Sequence, residues 1–438
     1  MPLNPPQPAQ QPCVVVGAGP VGLVAALALR RRGVPVLVIE AEPANRTRPG
    51  SRAIFLGEPT LRRLEDVLPG LGTSVAEAGI QVMGYDAFYG GRRVFRQRLK
   101  PAPPLRWGRS LPQKLTEEIV YAEAVVHGVE FRWGQPVVGV STTPDGATLE
   151  LASGERIDTP YVIAADGARS AVRKALGIIM RGSTDDTPFI IVDVDEHPDG
   201  CTPTMPGHFH YGCPELDGRN VMHMPFATGM RVDLQCRPTD DAEYLASPEG
   251  LREWLPRVED PWYVDHVRWV STYLFHQVVA ESFTDPARRV LLAGEAAHLF
   301  APFGGRGLNS GVIDATDAAW AIADACTAGT PTAAGQLIAR CAADRRRWAL
   351  HNRDVSSRAL RIMRASDPAM RAGRADAARR GWHRCGGRLA PGWPTARSRS
   401  RLGPRWRPGW AACRSGCVRR VCIDLREASG ASPRHAGE

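Results

Sequence analysis

The sequence predicts an α/β protein in which a parallel βαβ layer is interrupted by a mixed β-sheet and followed by C-terminal helices. Three observations carry this expectation. A strand, glycine turn, helix and second strand fill residues 13–40; two more short apolar strands, at 161–165 and 289–294, each run into a glycine turn; and residues 178–276 between them alternate apolar with polar.

Cys13-Val14-Val15-Val16 has the continuous apolar character of a parallel strand covered on both faces. Gly17-x-Gly19-x-x-Gly22 follows and opens an apolar helix that runs through Leu29 and ends near Gly33. Val36 to Ile39 forms a second buried strand, closed by Glu40. In such a βαβ unit Gly17 makes the tight turn, Gly19 admits a pyrophosphate close to the backbone, and Gly22 allows close helix–strand packing. Pro20 and Val21 lie at the helix N-terminus that faces the anion, where the helix dipole favours negative charge. Glu40 is placed to accept hydrogen bonds from a ribose diol.

The second motif is the strand 161–165, running into Asp166-Gly167-Ala168-Arg169-Ser170 and a short helix over 171–176. The third begins with Arg289-Val290-Leu291-Leu292-Ala293-Gly294 and Glu295. It continues through Pro302-Phe303-Gly304-Gly305-Arg306-Gly307-Leu308-Asn309 to a helix over 312–325. A carboxylate at a strand's C-terminal edge, a glycine loop and a helix N-terminus together offer several backbone N–H groups to an anion or an electron-rich ring.

These three stretches together resemble the FAD-dependent aromatic hydroxylases, single-component flavoprotein monooxygenases of the para-hydroxybenzoate hydroxylase type. The likeness covers roughly residues 12–365. It implies a Rossmann-like FAD-binding domain interrupted by a mixed β-sheet substrate domain, with a helical C-terminal part. The expected divisions are 12–177 for the first part of the FAD domain, with strands near 80–100 joining the substrate sheet, then 178–280 for the substrate domain and 281–365 for the second part of the FAD domain. In the family the Asp-Gly segment, here Asp166-Gly167, serves FAD and the nicotinamide cofactor. The late acid after Gly294, here Glu295, holds the ribitol. The loop Pro302 to Asn309, with Gly304, Gly305, Gly307 and Leu308, lies against the isoalloxazine. Arg52 matches an Arg-Ala segment near the flavin, and Gln113 a Pro-Gln turn that touches it. Two departures stand out: Glu295 replaces the usual Asp, and Arg306 replaces a common Gln. A cation at 306 either lies beside the flavin, favouring its reduced anionic ring, or points away.

The resemblance implies that NADPH or NADH reduces FAD and that O2 is activated as a flavin C4a-hydroperoxide. One oxygen then passes to an aromatic, phenolic or polyketide-like small molecule. The alternatives left open are a related FAD-dependent oxidoreductase (oxidation, ketone oxygenation, double-bond reduction) and a catalytically silent FAD-binding protein. No second dinucleotide fingerprint is present for NAD(P)H. Within 178–280, strands are expected at 189–194, 208–212, 221–226, 230–236 and 267–277. Pro302, Tyr211, His210 and Tyr273 are the candidates for contact with the reacting atoms, with His223 a further candidate. An aromatic substrate needs a flat apolar slot with a few polar groups to orient it.

Composition removes other classes. The 438 residues are 43% hydrophobic, ample for a core. Ten cysteines without a C-x-x-C pair argue against a disulfide framework or a zinc ribbon, and no metal is expected. Cys385, Cys413, Cys417 and Cys422 match no common zinc spacing. No run of 18 apolar residues is present, so a cytoplasmic location without a membrane partner is expected, as monomer or homodimer. The net charge of +9 would suggest nucleic acid. Residues 371–438, however, hold 16 Arg and 4 acids, which leaves the remainder at −3 and removes that argument. This segment is expected to be a disordered or aberrant, dispensable basic tail.

Overall fold

The structure is a computed structural model that describes residues 11–47, 50–199, 205–365 and 368–385. The glycine-turn unit folds as its apolar pattern dictates. Cys13–Val16 and Val36–Ile39 are buried throughout and pair in parallel, joined by the helix Pro20–Arg31. Three distant segments complete a five-stranded sheet in the order Val290–Leu292, Val162–Ala164, Cys13–Val16, Val36–Ile39 and Glu130–Arg132. Every pairing in it is parallel. Four of its strands are buried throughout and read as apolar runs, whereas the edge strand Glu130–Arg132 exposes its two charged residues. The helix Arg306–Cys326 packs on Pro20–Arg31 at close range. Gly311 makes this possible, because a Cβ there would lie 2.6 Å from Val21 Cγ2.

The alternating middle of the chain forms a seven-stranded sheet. Its order is Val267–Tyr273, Phe189–Asp195, Gly229–Gln235, Arg219–Phe226, Gly207–Cys213, Gly84–Tyr89 and Arg92–Arg98. Period-two alternation gives this sheet two different faces. Ile190, Val192, Val194, Val221, Val232 and Leu234 point outward into a core shared with Leu251 and Trp254 of the helix Pro248–Trp254. Phe189, Ile191 and Met222 point inward, with Phe209, Tyr211, Trp269 and Tyr273 packed beside them. Burying each large apolar side chain of this kind stabilises by about 1.5–3 kcal/mol.

Three expectations are corrected. The strand expected over 267–277 breaks at Leu274. Val267–Tyr273 stays in the seven-stranded sheet, while His276–Ala280 pairs with Met180–Thr184 and His298–Leu299 in another. The cause is Phe275, whose ring turns inward to lie 4.6 Å from that of Phe189. The helix expected over 312–325 begins six residues earlier, at Arg306, because Gly305 takes a left-handed conformation (φ 65°) and starts it.

The third correction concerns the basic tail, whose first part is the helix Pro368–Cys385, packed on Arg92–Arg98. The Arg374 guanidinium lies over the rings of Tyr89 and Tyr211, at 5.5 and 5.3 Å, and its Nη1 donates to Met363 O at 2.8 Å. Arginine-rich composition concealed this packing, since guanidinium groups cover aromatic rings as well as they face water. Residues 386–438, including Cys413, Cys417 and Cys422, lie outside the described residues. Among the described residues no helix is long and apolar enough to cross a membrane.

Candidate active site

One cavity of about 2420 Å³ runs from the C-terminal edge of the parallel sheet to the inward face of the seven-stranded sheet. Gly17, Gly19, Pro20, Val21 and Glu40 line its first end. Arg52, Gln113, Asp166, Gly167, Gly294 and Glu295 line its waist. Pro302, Gly304, Gly305, Gly307 and Leu308 form a loop along it, and Tyr211 and Tyr273 lie at the sheet end. Residues from far-apart segments thus meet because all the parallel strands end on one side, where α/β sheets bind ligands.

At the first end the turn is tight. A Cβ on Gly22 would lie 1.9 Å from Gly17 O, so Gly22 sits behind the turn and sets helix-to-strand spacing. The helix Pro20–Arg31 starts without a side-chain cap, so its N-terminal dipole is presented to whatever binds there. Buried Glu40 accepts the N–H of Ala18 at 2.6 Å through Oε2 and that of Glu42 at 3.0 Å through Oε1. Arg46, which sequence reasoning missed, donates to Ala18 O at 2.7 Å and stacks over Trp133 at 4.8 Å.

The Ser51–Arg52 turn is pinned by the sheet. Arg52 has φ 52°, a left-handed conformation unusual for a residue with a Cβ. Asp193 Oδ2 accepts the Ser51 N–H at 2.8 Å, and Arg231 donates to Ser51 Oγ at 2.5 Å and to Arg52 O at 2.6 Å. Arg231 is itself held by Asp193, with Nε–Oδ1 at 2.9 Å. Charges at alternate positions of otherwise apolar strands were the available signal for Asp193 and Arg231. On the far side, the Gln113 N–H donates to Ser51 O at 2.9 Å, while its side chain donates to Glu117 at 2.7 Å. Asp166 accepts the Val172 N–H through Oδ2, and burial raises its pKa. Asp166 Oδ1 is buried and accepts no hydrogen bond among the described residues.

In the third motif, Glu295 is exposed within the turn Gly294–Ala296 and lines the cavity. Asp314 holds that turn from below: its Oδ2 accepts the Gly294 N–H at 3.2 Å and meets His298 Nε2 at 2.6 Å. Asn309 does not line the cavity. Its amide donates to Phe55 O and Gly305 O at 2.9 and 2.6 Å, and its Oδ1 accepts the Gly57 N–H at 2.8 Å, which staples two loops. Arg306 is buried, with Nη1 donating to Asn352 Oδ1 at 2.9 Å.

At the sheet end Tyr211 and Tyr273 face the cavity, but His210 lies on the opposite face. It stacks on Phe88 at 4.4 Å and neighbours His223 at 5.1 Å. Burial, with His223 and His208 adjoining, lowers its pKa to about 4. His223 is paired with Glu259. Sequence reasoning also missed Asp233, a buried carboxyl on the inward face that lines the cavity. Burial pushes its pKa up to about 7.

The uncapped helix start, the cradle of Gly17 and Gly19, and the partnerless Asp166 Oδ1 suit a dinucleotide at the first end and waist of the cavity. The apolar sheet face suits a flat organic molecule beyond it.

Comparison with known proteins agrees with this geometry. The family profile described as FAD binding domain matches residues 10–354. The chain is 31% identical over 319 residues to a rifampicin monooxygenase of Streptomyces venezuelae, covering 71% of this chain and 63% of that protein. It is 32% identical over 324 residues to a 3-(3-hydroxy-phenyl)propionate/3-hydroxycinnamic acid hydroxylase of Burkholderia cenocepacia, covering 70% of this chain and 56% of the other. The chain therefore spans only part of the length of both. Among solved structures, p-nitrophenol 4-monooxygenase from Pseudomonas putida superposes with a TM-score of 0.71 at 26% identity, over 85% of this chain and 94% of that one.

Proposed function

The chain belongs to the FAD-dependent aromatic hydroxylase family, and from that premise we propose that it is an FAD-dependent monooxygenase that hydroxylates an aromatic or phenolic small molecule with NAD(P)H and O2. The observation that carries the reading is the single cavity joining the dinucleotide turn to an aromatic-lined sheet face.

Bound FAD would supply two-electron uptake from NAD(P)H and the activation of O2. The chain's own residues bind, orient and exclude water. Gly17 and Gly19 would admit the pyrophosphate and the helix start at Pro20 would face its charge, with Glu40 beside the ribose. Asp166 and Glu295 would face the ribityl chain, and the loop from Pro302 to Leu308 the ring system. Ile191, Met222, Phe275 and Phe303, backed by Phe189, form an apolar wall that would keep water from the reacting atoms. Tyr211 and Tyr273 would flank the substrate at that wall.

The test is to supply the purified holoprotein with a panel of phenols and polycyclic aromatics. Stimulated NAD(P)H oxidation, and a product carrying one atom from isotopically labelled dioxygen, are expected. Products without added oxygen would assign a different oxidoreductase chemistry. Cofactor that NAD(P)H cannot reduce would remove the enzymatic reading.

A further inference from the structure

Asp233 stands on the inward face of the strand Gly229–Gln235, opposite Ile191 on one neighbouring strand and Met222 on the other. All three line the cavity. A carboxyl between two apolar side chains is costly unless it is paired or hydrogen-bonded. Asp233 Oδ1 is buried and accepts no hydrogen bond among the described residues.

The nearest cation does not answer for it. Arg231 Nε is 4.0 Å from Asp233 Oδ1, and its guanidinium is spent on Asp193, Ser51 Oγ and Arg52 O. The charged and titratable groups around Asp233 are Arg231 on its own strand, Asp193 on the strand of Ile191, and His223 on the strand of Met222. Arg231 and His223 favour the carboxylate and Asp193 opposes it, but burial is the largest influence. A buried acid that opens onto a substrate cavity, with an oxygen that accepts no hydrogen bond among the described residues, is a candidate for proton transfer.

We propose that Asp233 is a catalytic residue that takes the proton of the substrate's ring hydroxyl. The inference rests on the functional reading above. In this step the substrate O–H bond breaks and a new O–H bond forms at an Asp233 carboxylate oxygen. The electron pair stays on the substrate oxygen and is delocalised to the ring carbons ortho and para to it, which raises their nucleophilicity toward an electrophilic oxygen. No electrons leave the substrate, and the proton returns to solvent when the carboxyl is reset. The charged form of Asp233 predominates above about pH 7, so the competent state is filled as pH rises through that value.

The experiment compares the wild-type holoprotein with Asp233→Asn, using 3-nitrophenol as probe because its neutral and anionic forms differ in colour and the free phenol ionises only well above neutral pH. Binding is followed by difference spectroscopy, without NAD(P)H, across neutral pH. The wild type should bind the probe as the anion, with the anionic fraction rising through about pH 7. Asp233→Asn should bind it neutral until pH passes the free phenol's own ionisation. In turnover, kcat/KM for any hydroxylated phenol should fall about 10²-fold or more in the variant and recover at high pH, where the free phenol ionises. Flavin content should be unchanged. Unaltered probe ionisation in Asp233→Asn, or a wild type that binds the probe only as the neutral phenol, overturns the proposal. If Asp233→Asn does not retain flavin, Asp233→Glu serves: it should keep the anionic binding with a displaced midpoint, and an unmoved midpoint overturns the proposal. Asp233-dependent ionisation of the probe without hydroxylation of any phenol would leave this inference standing and defeat the monooxygenase reading.

Discussion

Asp314 and Arg345 meet in the interior, with Arg345 Nε donating to Asp314 Oδ1 at 2.7 Å and both side chains almost fully buried. With His298 on the other oxygen, this pair ties the helices Arg306–Cys326 and Pro331–Arg364 to the Gly294 turn. A buried ion pair is weak evidence for net stabilisation, but breaking one leaves a charge without its partner.

Arg345→Met is therefore expected to destabilise by about 3–5 kcal/mol, measured by denaturant unfolding. Burial alone would raise the Asp314 pKa, but Arg345 and His298 outweigh it and hold the carboxyl below its usual range. A pKa lowered on folding adds stability that is present above the unfolded carboxylate value, about 4, and is lost as pH falls through the folded one. The variant loses that lowering, so the stability gap between wild type and variant should narrow as pH falls through the carboxylate range.

The glycine loop can be dissected by two substitutions. Gly305 has φ 65°, and a Cβ there would lie 3.0 Å from Phe55 Cδ1. Gly305→Ala should cost about 1–2 kcal/mol of apoprotein stability through the left-handed conformation alone. Gly307 lines the cavity, and a Cβ there would meet no protein atom within 4 Å. Gly307→Val should leave the apoprotein melting temperature nearly unchanged and weaken FAD binding about tenfold or more, or about 1.4 kcal/mol. Thermal melts and flavin titration of refolded apoprotein separate the two, and unaltered FAD affinity in Gly307→Val would exclude contact between this loop and the flavin.

Arg231→Leu should release the Ser51–Arg52 turn and strand Asp193, which is 2% exposed, as a buried charge. A loss of about 3–5 kcal/mol is expected. Asp193→Asn keeps an oxygen for the Ser51 N–H and should cost less. Denaturant unfolding with flavin titration tests this order, and equal losses would show that charge pairing is not what holds the turn.

Arg374→Ala removes a guanidinium from Tyr89 and Tyr211 together with its bond to Met363 O. A loss of about 1–2 kcal/mol is expected by differential scanning calorimetry. Truncation at residue 370 should cost at least as much, because Ala377 and Ala378 of the same helix line the cavity. A truncated protein with unchanged melting temperature would make this helix dispensable after all.

The parallel sheet and the first end of the site were legible because their determinants are local. From Cys13 to Glu40 one short stretch encodes strand, turn, helix and strand, and the later turns at Gly167 and Gly294 each follow their own apolar run. Asp314 carries no such local mark, and for Asp193 and Arg231 the alternation marks a charge on an apolar strand but not its partner. Each acts through a partner on another strand or helix, and one sequence does not show which charges meet.

The sequence by itself determined the α/β class, the glycine turn, the acids beside it and the two-faced strands of the middle. Alternation specifies that His210 and Tyr211 lie on opposite faces, but not which face looks inward. That was decided when Ile190, Val192 and Leu234 packed under the helix Pro248–Trp254, which turned Tyr211 and Asp233 toward the cavity and His210 away. Only the tertiary structure could also convert Arg374, read from composition as part of a basic tail, into a packed residue, because the rings it covers come from segments far off in the chain. Local rules fix backbone direction and period, whereas burial depends on which remote surface arrives to cover each face.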